Sequence, residues 1–139
     1  MRILLDTNII VAGFLSPTGP PGVLLLAWLQ GRFRLVTSQA QLDELARVLT
    51  YDRIRERIHP VQAREFVENV EVLGVLVSDL PVLELSPDPP DNVILATAVA
   101  GEAELIVSGD KGHVLELREV EGIPVVTATD AVRHLGLSG

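Results

Sequence analysis

Short apolar runs alternate along this chain with stretches of helical periodicity. Ile3-Leu4-Leu5 reads as a buried strand ending at Asp6. Pro17, Gly19, Pro20, Pro21 and Gly22 form a breaker-rich loop. Val23 to Gln30 has helical character, with Gly31 placed to stop it. Arg34 to Thr37 is a second strand. Ser38 and Gln41 have the spacing of a capping box, opening a helix to about Thr50 with Leu42, Leu45, Ala46 and Leu49 on one side. Tyr51 to Ile58 continues as a charged helix. Pro60 restarts a helix that Gly74 ends after Leu73. Val75 to Val77 is a third strand, followed by a proline- and acid-rich connection over 79–91. A helix from about Pro90 to Ala100 leads to Gly101 and a fourth strand, Leu105 to Val107. Pro124 to Thr127 is a fifth strand, and Thr129 or Asp130 opens a last helix to Leu135.

Strands that are short, continuous and rich in Leu, Ile and Val belong to parallel sheets covered on both faces. The expectation is an α/β fold around a mostly parallel sheet of four or five strands. With 139 residues, no repeat and no long linker, the chain reads as one domain over 1–139. Cysteine is absent, which removes disulfides, thiolate metal sites and cysteine nucleophiles. There is no secretory pattern after Met1, and no apolar run approaches about 18 residues. A cytoplasmic location is expected.

The net charge is −8, which taken alone argues against a nucleic-acid binder. Its distribution changes that picture. Residues 1–64 carry 8 basic and 5 acidic residues, residues 65–139 carry 3 and 14. Arg53, Arg55, Arg57 and Arg64 concentrate part of the basic excess and suit a phosphate grip; the plainer reading is a solvated helix face paired with Glu56 and Glu65. An acidic total also fits a chain that gathers carboxylates around a cation.

Sites in open α/β sheets form beyond the carboxyl ends of the strands. There the sequence places Asp6-Thr7-Asn8 after the first strand and Ser108-Gly109-Asp110 after the fourth. Asp91 opens the helix before the fourth strand, and Asp43 and Glu44 lie on the helix after the second. Four carboxylates converging there would suit a hard cation such as Mg²⁺ or Mn²⁺, which polarises a phosphoryl oxygen and activates water. Taken singly, Asp6 and Asp91 also suit helix caps, Asp110 a turn, and either Asp43 or Glu44 a solvated face. Periodicity does not choose between Asp43 and Glu44.

Other chemistries lack their signatures. Neither the dinucleotide glycine fingerprint nor the P-loop is present. His59, His113 and His134 lack a zinc-ligand spacing and read as surface or packing residues. No G-x-S-x-G elbow exists. Aromatic residues make up 4% of the chain, too few for a base-stacking platform. A receiver-like phosphoacceptor needs a lysine after the last strand, where Thr127-Ala-Thr129 stands. An Asp-x-Asp hydrolase is disfavoured by Asn8.

Four segments taken together resemble the PIN-domain nucleases, in particular their toxin-like prokaryotic branch. They are Ile3-Leu-Leu-Asp6-Thr7-Asn8, Val36-Thr-Ser38 with Leu42-Asp43-Glu44-Leu45, Asp88-Pro-Pro-Asp91-Asn92 running to Ala98, and Leu105-Ile-Val-Ser108-Gly-Asp110. The resemblance covers nearly the whole chain. It implies a Rossmann-like three-layer α/β/α sandwich and a metal-dependent ribonuclease, the toxin of a VapBC-type toxin–antitoxin pair. The acidic quartet would be Asp6, Glu44, Asp91 and Asp110. Asp6, Asp91 and Asp110 would hold Mg²⁺ or Mn²⁺, and Glu44 would bind a second ion or position water. Thr7, Asn8, Ser108 and Asp88 would orient these groups. The implied partners are RNA, a small antitoxin protein and a further copy or copies of the chain. The rival reading is a catalytically silent PIN-like module that binds RNA or protein.

Overall fold

The sheet has the strand order β3-β2-β1-β4-β6-β5, formed by β1 (Arg2–Leu5), β2 (Arg34–Ser38), β3 (Val75–Val77), β4 (Leu105–Val107), β5 (Glu119–Val120) and β6 (Ile123–Val126). This computed structural model describes residues 1–109 and 113–137. Every neighbouring pair is parallel except β5–β6. Ile3 stands opposite both Leu35 and Leu105, so β1 is the central rail.

Side chains alternate across a strand, and here both faces are buried. Ile3, Leu5, Leu35, Leu105 and Val107 enter one apolar cluster. It is covered by α1 (Thr7–Leu15), α2 (Pro20–Leu29), α3 (Gln39–Val48), α5 (Pro60–Leu73) and α8 (Ala128–His134), with Ile54 of the short α4 (Asp52–Arg55). Leu4 and Ile106 enter the other cluster, beneath α6 (Pro89–Ala100) and α7 (His113–Glu116). The result is the expected three-layer α/β/α sandwich, and burial on both faces is why the strands read as unbroken apolar runs.

Three local features go beyond the sequence expectation. The sheet has six strands, because a two-residue antiparallel edge strand, β5, precedes β6. The turn between them, Glu121-Gly122, has φ of 48° and 83°, the left-handed pair that matches strand twist in tight hairpins. Two residues are too few to show a period. Helix α1 gives no amphipathic signal because it is apolar nearly all round, and the Asp6 side chain at its cap position makes no capping hydrogen bond. Helix α2 begins at Pro20, earlier than its apolar run, since prolines fit the first turn of a helix. Its end is as expected. Gly31 has φ of 78°, and bonds from Gly31 N–H to Trp28 C=O and Arg32 N–H to Ala27 C=O close the turn at 2.9 Å each.

Among the described residues no single helix is long and apolar enough to cross a membrane; α1 and α2 pass only as a pair bent by 93°, and both contribute side chains to the core. His59 caps α5: its Nδ1 accepts from Val61 N–H at 3.1 Å, and its own N–H donates to Gln62 Oε1 at 3.2 Å.

Gly101 ends α6 where the helix meets β2. A Cβ there would lie 2.3 Å from Val36 Cγ1 and 3.1 Å from the Thr97 carbonyl. Gly101→Ala should therefore overpack the layer between α6 and the sheet, costing about 1–3 kcal/mol in chemical denaturation. A variant as stable as the parent would show that this contact is not tight.

Candidate active site

Strand β1 is where the order of the sheet reverses. Chain leaving β1 builds β2 and β3 on one side, then returns to β4 on the other. Such a reversal opens a crevice at the carboxyl ends of the two strands. Asp6 follows β1 and Ser108 follows β4. Asp6 N–H donates to the Val107 carbonyl at 2.8 Å, and Ser108 Oγ donates to Asp6 Oδ2 at 2.9 Å. The Asp6 carboxyl is held above the ordinary carboxylate range. Burial is the main cause, and the Asp91 and Glu44 carboxylates push the same way. Hydrogen bonds from Ser108 and the Thr7 N–H partly oppose them.

Asp91 lies in the first turn of α6. Ser86 Oγ donates to Asp91 Oδ2 at 3.0 Å. Ser86 is itself held by Asn92, whose Oδ1 accepts from the N–H groups of Leu85 and Ser86 at 3.0 and 2.8 Å, while Nδ2 donates to the Ser86 carbonyl at 2.9 Å. The proline-rich connection is thus clamped to the helix it precedes. Asp88 is exposed at the α6 cap position; its N–H donates to Ser86 Oγ at 3.2 Å.

Glu44 projects from α3 and Asp43 does not share its position. Asp43 is exposed and accepts from Gln39 Nε2 at 2.9 Å. Glu44 is half-buried and turned to the cleft, 4.0 Å from Arg47. The placement of α3 depends on Gln41, which is fully buried. Its Nε2 donates to the Leu5 carbonyl at 2.8 Å, and its Oε1 accepts from Thr37 Oγ1 at 2.7 Å. The expected capping box is therefore half present. Ser38 Oγ accepts from Gln41 N–H at 3.3 Å, but the Gln41 side chain turns into the core because the Leu5 carbonyl, one residue before Asp6, needs a donor there.

Asp6, Glu44 and Asp91 line one cleft of about 330 Å³, with Thr7, Asn8 and Asp88. Thr7 Oγ1 is buried and has no hydrogen-bond partner among the described residues. Asp110 lies outside the described residues. The arginines expected to act together separate. Arg53 lines the cleft, and Arg57 donates from Nη2 to the Leu15 carbonyl at 3.1 Å. Arg55 and Arg64 border a different, apolar groove beside α3 and α5. Neither Glu56 nor Glu65 pairs with any of the four among the described residues. Sequence reasoning gave no site role to Gln41, Ser86, Asn92, Arg47 or Tyr51. Asn92, next to Asp91 and after two prolines, carried the best local signal, since Asn commonly ties down turns.

The PIN domain family model matches residues 2–112, from β1 to just beyond β4. The chain belongs to the PIN domain family. Asp6, Glu44 and Asp91 of this PIN domain all fall inside the matched span, as does Asp110. Among solved structures the fold is similar to a chain of VapBC2 from Rickettsia felis, a structure determined bound to a DNA fragment from their promoter. The TM-score is 0.57 at 14% identity, covering 91% of this chain and 98% of that chain. At this identity the likeness is one of fold. No curated protein matches the sequence.

Two outcomes follow from the brace and the charge cluster of this PIN domain. Gln41→Leu keeps the volume and leaves the Leu5 carbonyl and Thr37 hydroxyl without their partner, so unfolding by urea should show a loss of about 1–3 kcal/mol for each group left unpaired. A loss well under that would mean the amide is not what positions α3. The second concerns Asp6. Well below the ordinary carboxylate range both folded and unfolded chains keep its proton. As pH rises the unfolded chain ionises first, so the folded state loses stability until the raised pKa of Asp6 is passed. Asp6→Asn removes that loss. In chelator at pH 7 the variant should melt no lower than the parent, with its advantage shrinking as pH falls through the carboxylate range. A parent that melts higher at pH 7 would contradict the raised pKa.

Proposed function

We propose that this chain is a divalent-cation-dependent ribonuclease and the toxin component of a toxin–antitoxin pair. The observation that carries the reading is the convergence of Asp6, Glu44 and Asp91 on one cleft at the reversal point of the sheet. The donors are all oxygen, which suits Mg²⁺ or Mn²⁺. Among the described residues no three acidic or histidine side chains stand close enough to enclose an ion. The raised pKa of Asp6 and the unpartnered Thr7 hydroxyl both favour occupancy by a cation with its water.

Asp6 and Asp91, with Asp110 from the segment after β4, would hold the cation, and Glu44 would bind a second ion or orient the attacking water. Ser108 and Ser86 fix the rotamers of Asp6 and Asp91 through their hydrogen bonds. Such a cation supplies neutralisation of the phosphate charge and activation of water. Arg53, on the wall of the same cleft, is placed to attract phosphate into a site otherwise dominated by acids. The likeness to a VapBC2 chain supports a small antitoxin protein as partner. Exposed Val72, Leu73 and Leu76 beside the open edge of the sheet at β3 leave apolar surface for a homodimer or larger assembly. A single domain over 1–139 and a cytoplasmic location belong to the same reading.

Purified chain should cut RNA with Mg²⁺ or Mn²⁺ and stop with chelator. Asp6→Asn and Asp91→Asn should each remove most of the activity while the chain stays folded by circular dichroism. Equal cleavage by parent and Asp6→Asn, or cleavage that survives chelator, would refute the assignment.

A further inference from the structure

One wall of the acidic cleft has a different chemistry. Arg47 lies near the end of α3, Tyr51 at the break before α4, and Arg53 on α4. All three line the cleft with Asp6, Glu44 and Asp91. Tyr51 is the chain's one tyrosine and stays 42% exposed, although an aromatic ring of that size is stabilising when buried. Its backbone is fixed: Tyr51 N–H donates to the Val48 carbonyl at 3.1 Å, and its carbonyl accepts from Ile54 and Arg55 N–H at 2.9 and 3.0 Å. The Arg53 guanidinium carbon lies 5.9 Å from the ring centroid, within cation–π range. Arg47 lies 4.0 Å from Glu44, whereas Arg53 makes no ion pair among the described residues. Binding of single-stranded nucleic acid uses the combination of ring and arginine: bases stack on aromatic rings and phosphates pair with arginine.

Resting on the reading of the cleft as an RNA site, we propose that Tyr51 stacks on one unpaired base beside the scissile phosphodiester while Arg53 and Arg47 hold the flanking phosphates. The low aromatic content excludes a platform for several bases. One ring at the cleft wall is enough for one base. In a duplex the faces of the bases are covered by their neighbours, and that contact is lost.

The test measures binding by fluorescence anisotropy. The chain carries Asp6→Asn so that RNA is not cut, and a labelled single-stranded oligoribonucleotide is titrated in Mg²⁺. Adding Tyr51→Leu, which keeps an apolar side chain without a π face, should weaken binding about 5- to 150-fold, the range for loss of one stacked base. Tyr51→Phe should retain it. The salt dependence should be unchanged by Tyr51→Leu and lowered by about 0.7 in slope by Arg53→Gln, since only the arginine releases a counterion. The same RNA annealed to its complement should bind with equal affinity whether position 51 is Tyr or Leu. Binding of the single strand unaffected by Tyr51→Leu, or an equal loss with Phe and Leu, would overturn the stacking role and leave the nuclease reading standing. No binding of RNA by the Asp6→Asn chain would overturn this inference, and failure of the native chain to cut RNA in the cleavage assay would show that the ribonuclease reading has fallen too.

Discussion

Gln41 joins the end of β1 to the start of α3 through hydrogen bonds to the Leu5 carbonyl and from Thr37. Around it runs a chain of buried hydroxyls. Thr97 Oγ1 donates to the Val93 carbonyl at 2.8 Å. Ser38 and Thr97 are 2.8 Å apart, so the Ser38 hydroxyl must donate to Thr97 while it accepts from Gln41 N–H. Three elements that carry acidic side chains are thereby tied below the cleft: β1 with Asp6, α3 with Glu44 and α6 with Asp91. A neutral amide and hydroxyls can do this in a dry interior. A charged brace would need its own counterion there.

That tie has something to oppose. Burial disfavours ionisation of Asp6 and raises its pKa, and the neighbouring Asp91 and Glu44 carboxylates add to the effect. Hydrogen bonds from Ser108 and Ser86 offset part of the cost by holding one oxygen each of Asp6 and Asp91. The rest persists, as it commonly does where sites trade stability for function. A cation would relieve it, and Arg47 and Arg53 bring positive charge to the cleft wall.

Much of this was legible in the sequence because it depends on local pattern. Apolar triplets such as Ile3-Leu-Leu and Leu105-Ile-Val marked the central strands, and glycines 31, 74 and 101 marked helix ends. The positions of Asp6 and Asp91 followed from those boundaries. What depends on tertiary contact was not legible. Glu44 and Asp43 are both off the apolar stripe of α3, and only the packing of that helix against α5, α1 and β2 turns one to the cleft. Gln41 suits a cap by spacing, yet a carbonyl 36 residues earlier in the chain claims its amide. The four arginines share a stretch of sequence, but the bends around α4 send Arg53 to the cleft and Arg55 and Arg64 to another surface. Helix α1 was hidden because a helix buried on most sides has no polar face to reveal its period.

The proposed ribonuclease requires a divalent cation to bind in the cleft that Asp6, Glu44 and Asp91 line. Paramagnetic broadening of amide resonances by substoichiometric Mn²⁺ reads its location without depending on turnover. Broadening should centre on residues 6–8, on Glu44 and on the first turn of α6, and disappear in Asp6→Asn. Broadening centred elsewhere, for instance on the acidic face of α5 with Glu65, Glu68 and Glu71, and unchanged by Asp6→Asn, would rule out this cleft as the cation site.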